Sequence, residues 1–524
     1  MKYTVEIKKN EFHSYLKDDI CIYTIGQVSY KDNSLKGELF LNTVLDLFSL
    51  KSLKEEVKHF YGRFGIIIIN QDRHFIISDL MNTIPIYYNP LKKKITDLVE
   101  LKGNMSMKSM IFYKEFSYTA QNTTLLENWF VTETASFVEL NFEGVKSKSR
   151  YYDFNVSSTV ALVEDELYSW IDEEVRAVFK RLFKKCASKQ VVIPLSGGYD
   201  SRLIATFAKE FDIQNVLCFT YGLSDKSEEV MVSKKVAESL GFNWEYVDLN
   251  AILKQQHFKK NQSLLHEFYR YSDTIRSVPH IQDFFVINYL KEKQLIESNA
   301  IIIPGHSADA LAGSHLIRYQ GKDVKNIEAF SHILYEKFGI FSQGEHKVDN
   351  VDCLINSFES SSYNENDFLD WFHKFNIENR QSKFIVNSTN VYAFYGYEYE
   401  LPFWDKQYVD LWLGIPFKTL IAENTFENYI FNYYFTKHEV AIYKKKNLVS
   451  KATEKKRFLR TLLPDKVYKF LKSLVIAKSN YGFGLYYDLL QKDLQSKTID
   501  RSLHQNFFIS EKVFEIIKRK SEAE

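Results

Sequence analysis

The stretch Val191-Val192-Ile193-Pro194-Leu195-Ser196-Gly197-Gly198-Tyr199-Asp200-Ser201-Arg202 decides how this chain is read. A short apolar run leads into two glycines, and Leu203–Lys209 then reads as a helix. Strand, glycine turn and helix together make an anion cradle. Glycines let the backbone approach a phosphate closely, and N–H groups at a helix N-terminus point at it. Ser196 and Ser201 add hydroxyl donors. Asp200 repels an anion, so a carboxylate here implies a divalent cation between it and the phosphate. Five fixed residues at ordinary frequencies match by chance about 10⁻³ times in a chain of this length, so a plain helix-capping turn is the poorer explanation.

The rhythm continues outward from that stretch. Glu164–Ser188 is an amphipathic helix, with Leu167, Ile171, Val175, Phe179, Leu182 and Phe183 on one side. Gln190–Pro194 and Val216–Thr220 read as strands, Lys226–Leu240 as a helix that Asp225 could cap, and Trp244–Leu249 as a strand. Alternation of this kind predicts a doubly wound parallel sheet. Beyond Asn250 the reading is mainly helical, with a strand at Ile301–Pro304 and a polar loop at Ser360–Asp367. Residues 1–155 differ. Cys21–Tyr30, Phe64–Asn70, His74–Asp79, Ile84–Tyr88 and Thr134–Phe142 read as strands, with one helix near Leu53–Tyr61. The fold class is therefore α/β: a β-rich first domain over 1–155, and a parallel-sheet domain with a large helical part over 156–524.

Composition removes several classes. The chain has 524 residues, 45% hydrophobic and 26% charged, with 42 Phe and 34 Tyr, which excludes disorder over most of its length. With 68 Lys and Arg against 67 Asp and Glu, no whole-chain field draws it to nucleic acid or anionic lipid. The cysteines Cys21, Cys186, Cys218 and Cys353 are far apart, which excludes a zinc ribbon and a disulfide scaffold. The longest apolar runs, Ile66–Ile69 and Ala300–Pro304, are too short for a membrane span, and no signal-peptide stretch opens the chain. These features predict a cytoplasmic protein with no membrane or nucleic-acid partner. Long helices permit a homodimer without requiring one.

The segment Ser196–Ser201 resembles the SGGxDS signature of the PP-loop ATP pyrophosphatases, and further segments resemble one branch of them. Pro304-Gly305-His306-Ser307-Ala308-Asp309-Ala310-Leu311-Ala312-Gly313 is similar to the asparagine-synthetase segment SGxGADELFGG. Glu398-Tyr399-Glu400-Leu401-Pro402-Phe403-Trp404-Asp405 is similar to ExRxPFLD, and Lys456–Arg460 with Leu463-Pro464 to a KxxLR…LP segment. In the first domain, Gly62-Arg63-Phe64-Gly65 and Asp79…Pro85-Ile86-Tyr87-Tyr88 resemble pieces of that family's glutamine amidotransferase domain, an Ntn-hydrolase-like fold. The chain thus resembles a diverged asparagine-synthetase family member, of the kind of the β-lactam synthetases and lasso-peptide cyclases.

The resemblance implies a carbon–nitrogen ligase with ATP and Mg²⁺ as cofactors. Leu195, Ser196, Gly197, Gly198, Asp200, Ser201, Tyr221 and Gly305 would bind ATP, with Tyr221 against the adenine, and Asp200 and Asp309 would hold the metal. A carboxylate on a small molecule, peptide or glycan precursor would be adenylated with release of pyrophosphate. Ammonia or an amine would then displace AMP. His306 is expected as a general base near its ordinary pKa, oriented by Glu398. A lysine after the LP segment is expected to stabilise the transition state, and counting favours Lys472 from one side and Lys478 from the other.

Departures qualify this. The family's glutaminase uses an N-terminal cysteine, but Lys2 follows Met1 and no cysteine precedes Cys21. The first domain is therefore expected to be a scaffold without glutaminase activity. Arg202, Ala310 and Glu400 each depart from the family pattern and together read as a changed substrate. The basic stretch Lys437–Arg460 reads as a solvated face. The alternative to a ligase is a non-catalytic scaffold or binding protein on a decayed synthetase fold. A tRNA-modifying PP-loop enzyme fits poorly, since its motif lies near the N-terminus and is often accompanied by cysteines.

Overall fold

The computed structural model describes residues 3–442 and 504–522, apart from residues 18, 32, 72, 157–163, 254, 323, 340–345, 359–362, 364–366 and 423. Lys472, Lys478, the KxxLR…LP segment and most of the polar loop near 360–367 lie outside the described residues.

In the first half, antiparallel strands Phe12–Lys17, Ile20–Tyr30, Tyr61–Asn70, Arg73–Ser78, Ser136–Asn141 and Gly144–Arg150 form the main sheet, with Asn33–Lys36 paired to Ile20–Tyr30. A smaller sheet holds Thr4–Glu6, Lys94–Thr96, Tyr87–Asn89 and Phe130–Val131. The run Ile66–Ile69 does not alternate with polar residues because both of its faces are covered. Ile66 and Ile68 pack under the helix Glu38–Ser49 with Phe40 and Val44. Ile67 and Ile69 pack toward the smaller sheet with Tyr88 and Ile95. Each fully buried isoleucine contributes roughly 2 kcal/mol. The expected helix near Leu53–Tyr61 is shorter, Leu53–Glu56 and then a tight turn to His59, because Tyr61 already belongs to a strand.

In the second half, five parallel strands run in the spatial order Asn243–Asp248, Val216–Gly222, Val191–Pro194, Ile301–Ile302, Glu398–Tyr399. The chain moves outward in one direction from Val191–Pro194 and then returns to build on its other side. The strand order therefore reverses between Val191–Pro194 and Ile301–Ile302, and a crevice opens there beyond the carboxyl ends of the strands. The helix Glu164–Lys185 buries the expected apolar stripe, and Phe179 stacks on Phe207 of the helix Tyr199–Glu210 at 4.1 Å. The next helix, Glu228–Leu240, is capped by Ser227, whose hydroxyl accepts from the Val230 N–H, and not by Asp225. The C-terminal helix Gln505–Glu522 packs on the first half, where Asn506 Nδ2 donates to Ser117 Oγ at 3.1 Å. No helix among the described residues is long and apolar enough to cross a membrane, and all four cysteines are free.

Candidate active site

The loop after Val191–Pro194 folds back on its own hydroxyls. Ser201 Oγ accepts from the Ser196 N–H at 3.1 Å, and Ser196 Oγ from the Gly198 N–H at 3.1 Å. Both N–H groups are thus held by hydroxyls of the loop itself. The helix Tyr199–Glu210 starts at Gly198 with no side-chain cap, so its N-terminal N–H groups are not answered by a capping residue. Leu195 is buried and joins the sheet through its N–H to Phe219 O.

The remote 305–313 segment meets this loop. Asp200 Oδ2 accepts from the Ala308 N–H at 3.0 Å and Oδ1 from the Asp309 N–H at 3.3 Å. Gly305 passes so close that a Cβ there would lie 2.4 Å from the Ser201 nitrogen, so only glycine fits. Ser307 adopts φ 76°, an unfavourable left-handed conformation for a residue with a side chain, and its hydroxyl is tied to Gln381 Oε1 at 2.6 Å. Gln381 stands on the π-helical stretch Asn376–Ile385, a geometry often found at functional sites.

Among the described residues no group of three or more His, Cys, Asp or Glu could form a closed metal cage. Two carboxylates, Asp200 and Asp309, fit a hard divalent cation that takes its other ligands from phosphate oxygens and water, as Mg²⁺ does. The Tyr408 hydroxyl is fully buried in the field of both. Burial chiefly, and then Asp200, the near Trp412 N–H and Asp309, act on its pKa, which is pushed well above the ordinary phenol value. Tyr408 carried no sequence signal beyond following Asp405 by three residues.

His306 lies beside this site, but not in the state expected of it. Burial pushes its pKa down to about 4, so it is neutral near pH 7 and a weaker base than a histidine of ordinary pKa. Nε2 is 3.5 Å from Ser388 Oγ, and Nδ1 has no hydrogen-bond partner among the described residues. Glu398 does not orient it. That side chain starts the strand next to Ile301–Ile302, at the amino end of the sheet and so at the opposite end from His306, and pairs with Lys189 at 2.9 Å. The Lys189 ammonium holds Glu398 below the usual carboxylate range. Tyr221 ends its strand as expected, with its hydroxyl donated to Asp283 Oδ1 at 2.8 Å.

The joint reading of Arg202, Ala310 and Glu400 as a changed substrate does not hold geometrically. Glu400 faces Lys185 at 3.4 Å, away from the loop. Arg202 is fully buried behind the loop, donating to Gly197 O at 3.2 Å, Val440 O at 3.0 Å and Ile442 O at 2.7 Å. Its guanidinium lies over the rings of Tyr199 and Phe435, and burial brings its pKa down to about 10.

No curated protein matches this chain. Among solved structures, an NH3-dependent NAD synthetase from Campylobacter jejuni, in complex with a nitrate ion, is similar at 15% identity and a TM-score of 0.21, covering 38% of this chain and 97% of that one. The family model described as asparagine synthase matches residues 174–516. That span takes in the SGGYDS loop, the 305–313 segment and the strand at 398–399, so the chain belongs to the asparagine synthase family.

Proposed function

We propose that this protein is an ATP-dependent, AMP-forming ligase that adenylates a substrate carboxylate and passes the acyl group to ammonia or an amine. The observation that supports it most is the Asp200 carboxylate holding the Ala308 and Asp309 N–H groups. It joins the anion cradle to the second carboxylate at the point where the strand order reverses. In this reading Asp200 and Asp309 hold Mg²⁺, and Ser196–Ser201 with Gly305 receive the triphosphate through backbone N–H groups. Bound magnesium would offset the charge gathering on the leaving pyrophosphate. A carboxylate oxygen leaves poorly at neutral pH, and adenylation converts it into a good leaving group. His306, neutral near pH 7, offers a lone pair to the incoming amine without adding a competing cation. Lys472 or Lys478 would supply the transition-state cation.

The first half, over 1–155, is in this proposal a scaffold with no glutaminase activity of its own. Cys186, Cys218 and Cys353 are held as thiols by burial, Cys186 at about 12, and make poor nucleophiles. Four free thiols fit a reducing compartment such as the cytoplasm. The test is calorimetry of Mg·ATP binding to wild type and Asp200→Ala, followed by assay of candidate carboxylates for pyrophosphate release. Magnesium-dependent binding lost in the variant supports the proposal. A folded wild type that neither binds nor turns over ATP with any carboxylate and amine supplied overturns it.

A further inference from the structure

A groove of about 990 Å³ lies between the first-half sheet and the helix Glu164–Lys185, at the end of the parallel sheet opposite the SGGYDS loop. Its lining includes Lys189, two residues before the strand Val191–Pro194, and Ile301 and Glu398, which start the next two strands of the sheet.

The groove is strongly cationic in a chain whose net charge is +1. Seven Lys and Arg line it against three Glu. Lys31 and Lys36 come from the hairpin of the first half, and Lys180 and Lys184 from the facing helix. The three glutamates are already engaged: Glu56 by the Tyr30 hydroxyl at 2.6 Å, Glu398 by Lys189 at 2.9 Å, and Glu400 by Lys185 at 3.4 Å. Lys36, Lys180 and Lys184 have no carboxylate within ion-pair distance among the described residues.

The groove continues inward. A smaller cavity of about 60 Å³ shares Tyr61, Arg181, Lys185 and Glu400 with it and ends on Arg63 and Trp404. Trp404 is 7% exposed, and its indole N–H has no hydrogen-bond partner among the described residues. A buried N–H left unanswered is costly, and its usual remedy is an acceptor from water or a ligand. The neighbouring carboxylates are spent. Asp79 accepts the N–H groups of Phe64, Met81 and Thr83 together with the Thr83 hydroxyl. Asp405 accepts from Arg181 at 2.8 Å and from the Gln407 N–H at 2.9 Å. The cavity wall thus holds a donor without an acceptor among the described residues, and the groove outside it carries more cations than anions. Hydrogen bonding and charge ask for the same chemistry, an oxyanion.

We propose that this groove is a second ligand site, separate from the ATP site, that takes a phosphorylated metabolite of roughly nucleotide size. One oxyanion seats against the Trp404 N–H, and further negative charge meets Lys36, Lys180 and Lys184. Because the lining comes from both halves, the ligand fastens one half to the other.

The test uses the full-length protein without magnesium, at low salt, with pyrophosphate and succinate as probes followed by calorimetry. Three variants are compared: Asp200→Ala at the ATP site, the exposed pair Lys36→Glu with Lys184→Glu, and Trp404→Phe. Thermal melting checks that each is folded. The expected result is pyrophosphate binding that survives Asp200→Ala, weakens at least about tenfold in the double variant, and weakens about threefold or more in Trp404→Phe. Pyrophosphate should also bind more tightly than succinate. Binding abolished by Asp200→Ala would place the anion at the ATP site and overturn the proposal. So would binding indifferent to the two lysines, no binding of either probe, or a preference for succinate, which would reassign the site to carboxylates.

Discussion

At the carboxyl end of the parallel sheet, Asp200 and Asp309 stand on two loops joined by the Ala308 and Asp309 N–H groups donating to Asp200. At the amino end, Lys36, Lys180 and Lys184 ring a groove that reaches inward to Trp404. Both ends suit anions, by different means. In the proposed function the carboxyl end relies on backbone N–H groups and on carboxylates that would hold a metal. It needs close backbone approach, and Gly305 against Ser201 provides it. The amino end relies on long side chains contributed by segments far apart in sequence. The first kind of site leaves a compact motif in the chain, and the second leaves none.

The largest expected effect is at the first end. Asp200→Ala removes the carboxylate proposed to hold the metal, together with its tie to Ala308 and Asp309. Turnover should fall about 10³-fold, equivalent to about 4 kcal/mol, with loss of magnesium-dependent ATP binding. Pyrophosphate release under saturating substrates is the readout, and a loss below tenfold would break the comparison.

The carboxyl end also gathers buried imidazoles, where the amino end has lysines. His373 is fully buried beside His315, and burial brings its pKa down to about 3. The folded value lies below the unfolded one near 6.5. The stabilisation is therefore complete above about pH 6.5 and is lost as pH falls toward 3, by about 3 kcal/mol at pH 4.5. Urea unfolding at pH 7 and pH 4.5 measures this, and His373→Phe should flatten the difference.

Gly305→Ala forces the 304–306 segment away from Ser201. A displacement of about 1 Å at a reacting centre costs about 10²-fold in turnover. Kinetics of the folded variant should show the loss mainly in kcat, and near-wild-type turnover would mean that the two loops move independently.

His306 should leave no inflection in kcat/KM near pH 6.5, since its pKa lies at about 4. An inflection there that vanishes in His306→Gln would contradict the buried, neutral state. The smallest effect belongs to Glu398. Glu398→Gln breaks a partly exposed ion pair with Lys189, and stability should fall by about 0.5 kcal/mol, read from the melting temperature. A hundredfold loss of turnover would instead return Glu398 to the catalytic site.

Much of this was legible before folding. The SGGYDS loop, the strands around it and the long helix from Glu164 follow from local periodicity and glycine placement. The 305–313 segment was readable as a motif, and the structure brings it to Asp200. Other features were not legible. Gln381 and Ser388 reach Ser307 and His306 from an irregular helix about seventy to eighty residues away, where no 3.6-residue pattern marks them. The pairing of Glu398 with His306 failed because motif order says nothing about which end of a sheet a side chain meets. The pKa of His306 failed because burial, and not residue type, sets it.

The sequence by itself determined the parallel sheet, the SGGYDS loop and the pair of acidic residues, because glycine freedom, apolar runs and helix periodicity act over a few residues. Only the tertiary structure decided that Arg202 is buried behind the loop, that Glu400 and Glu398 face lysines at the other end, and that Tyr408 stands in the field of Asp200 and Asp309. Those outcomes depend on which distant surfaces pack together, and packing sets both the burial of a charge and the partners it can find.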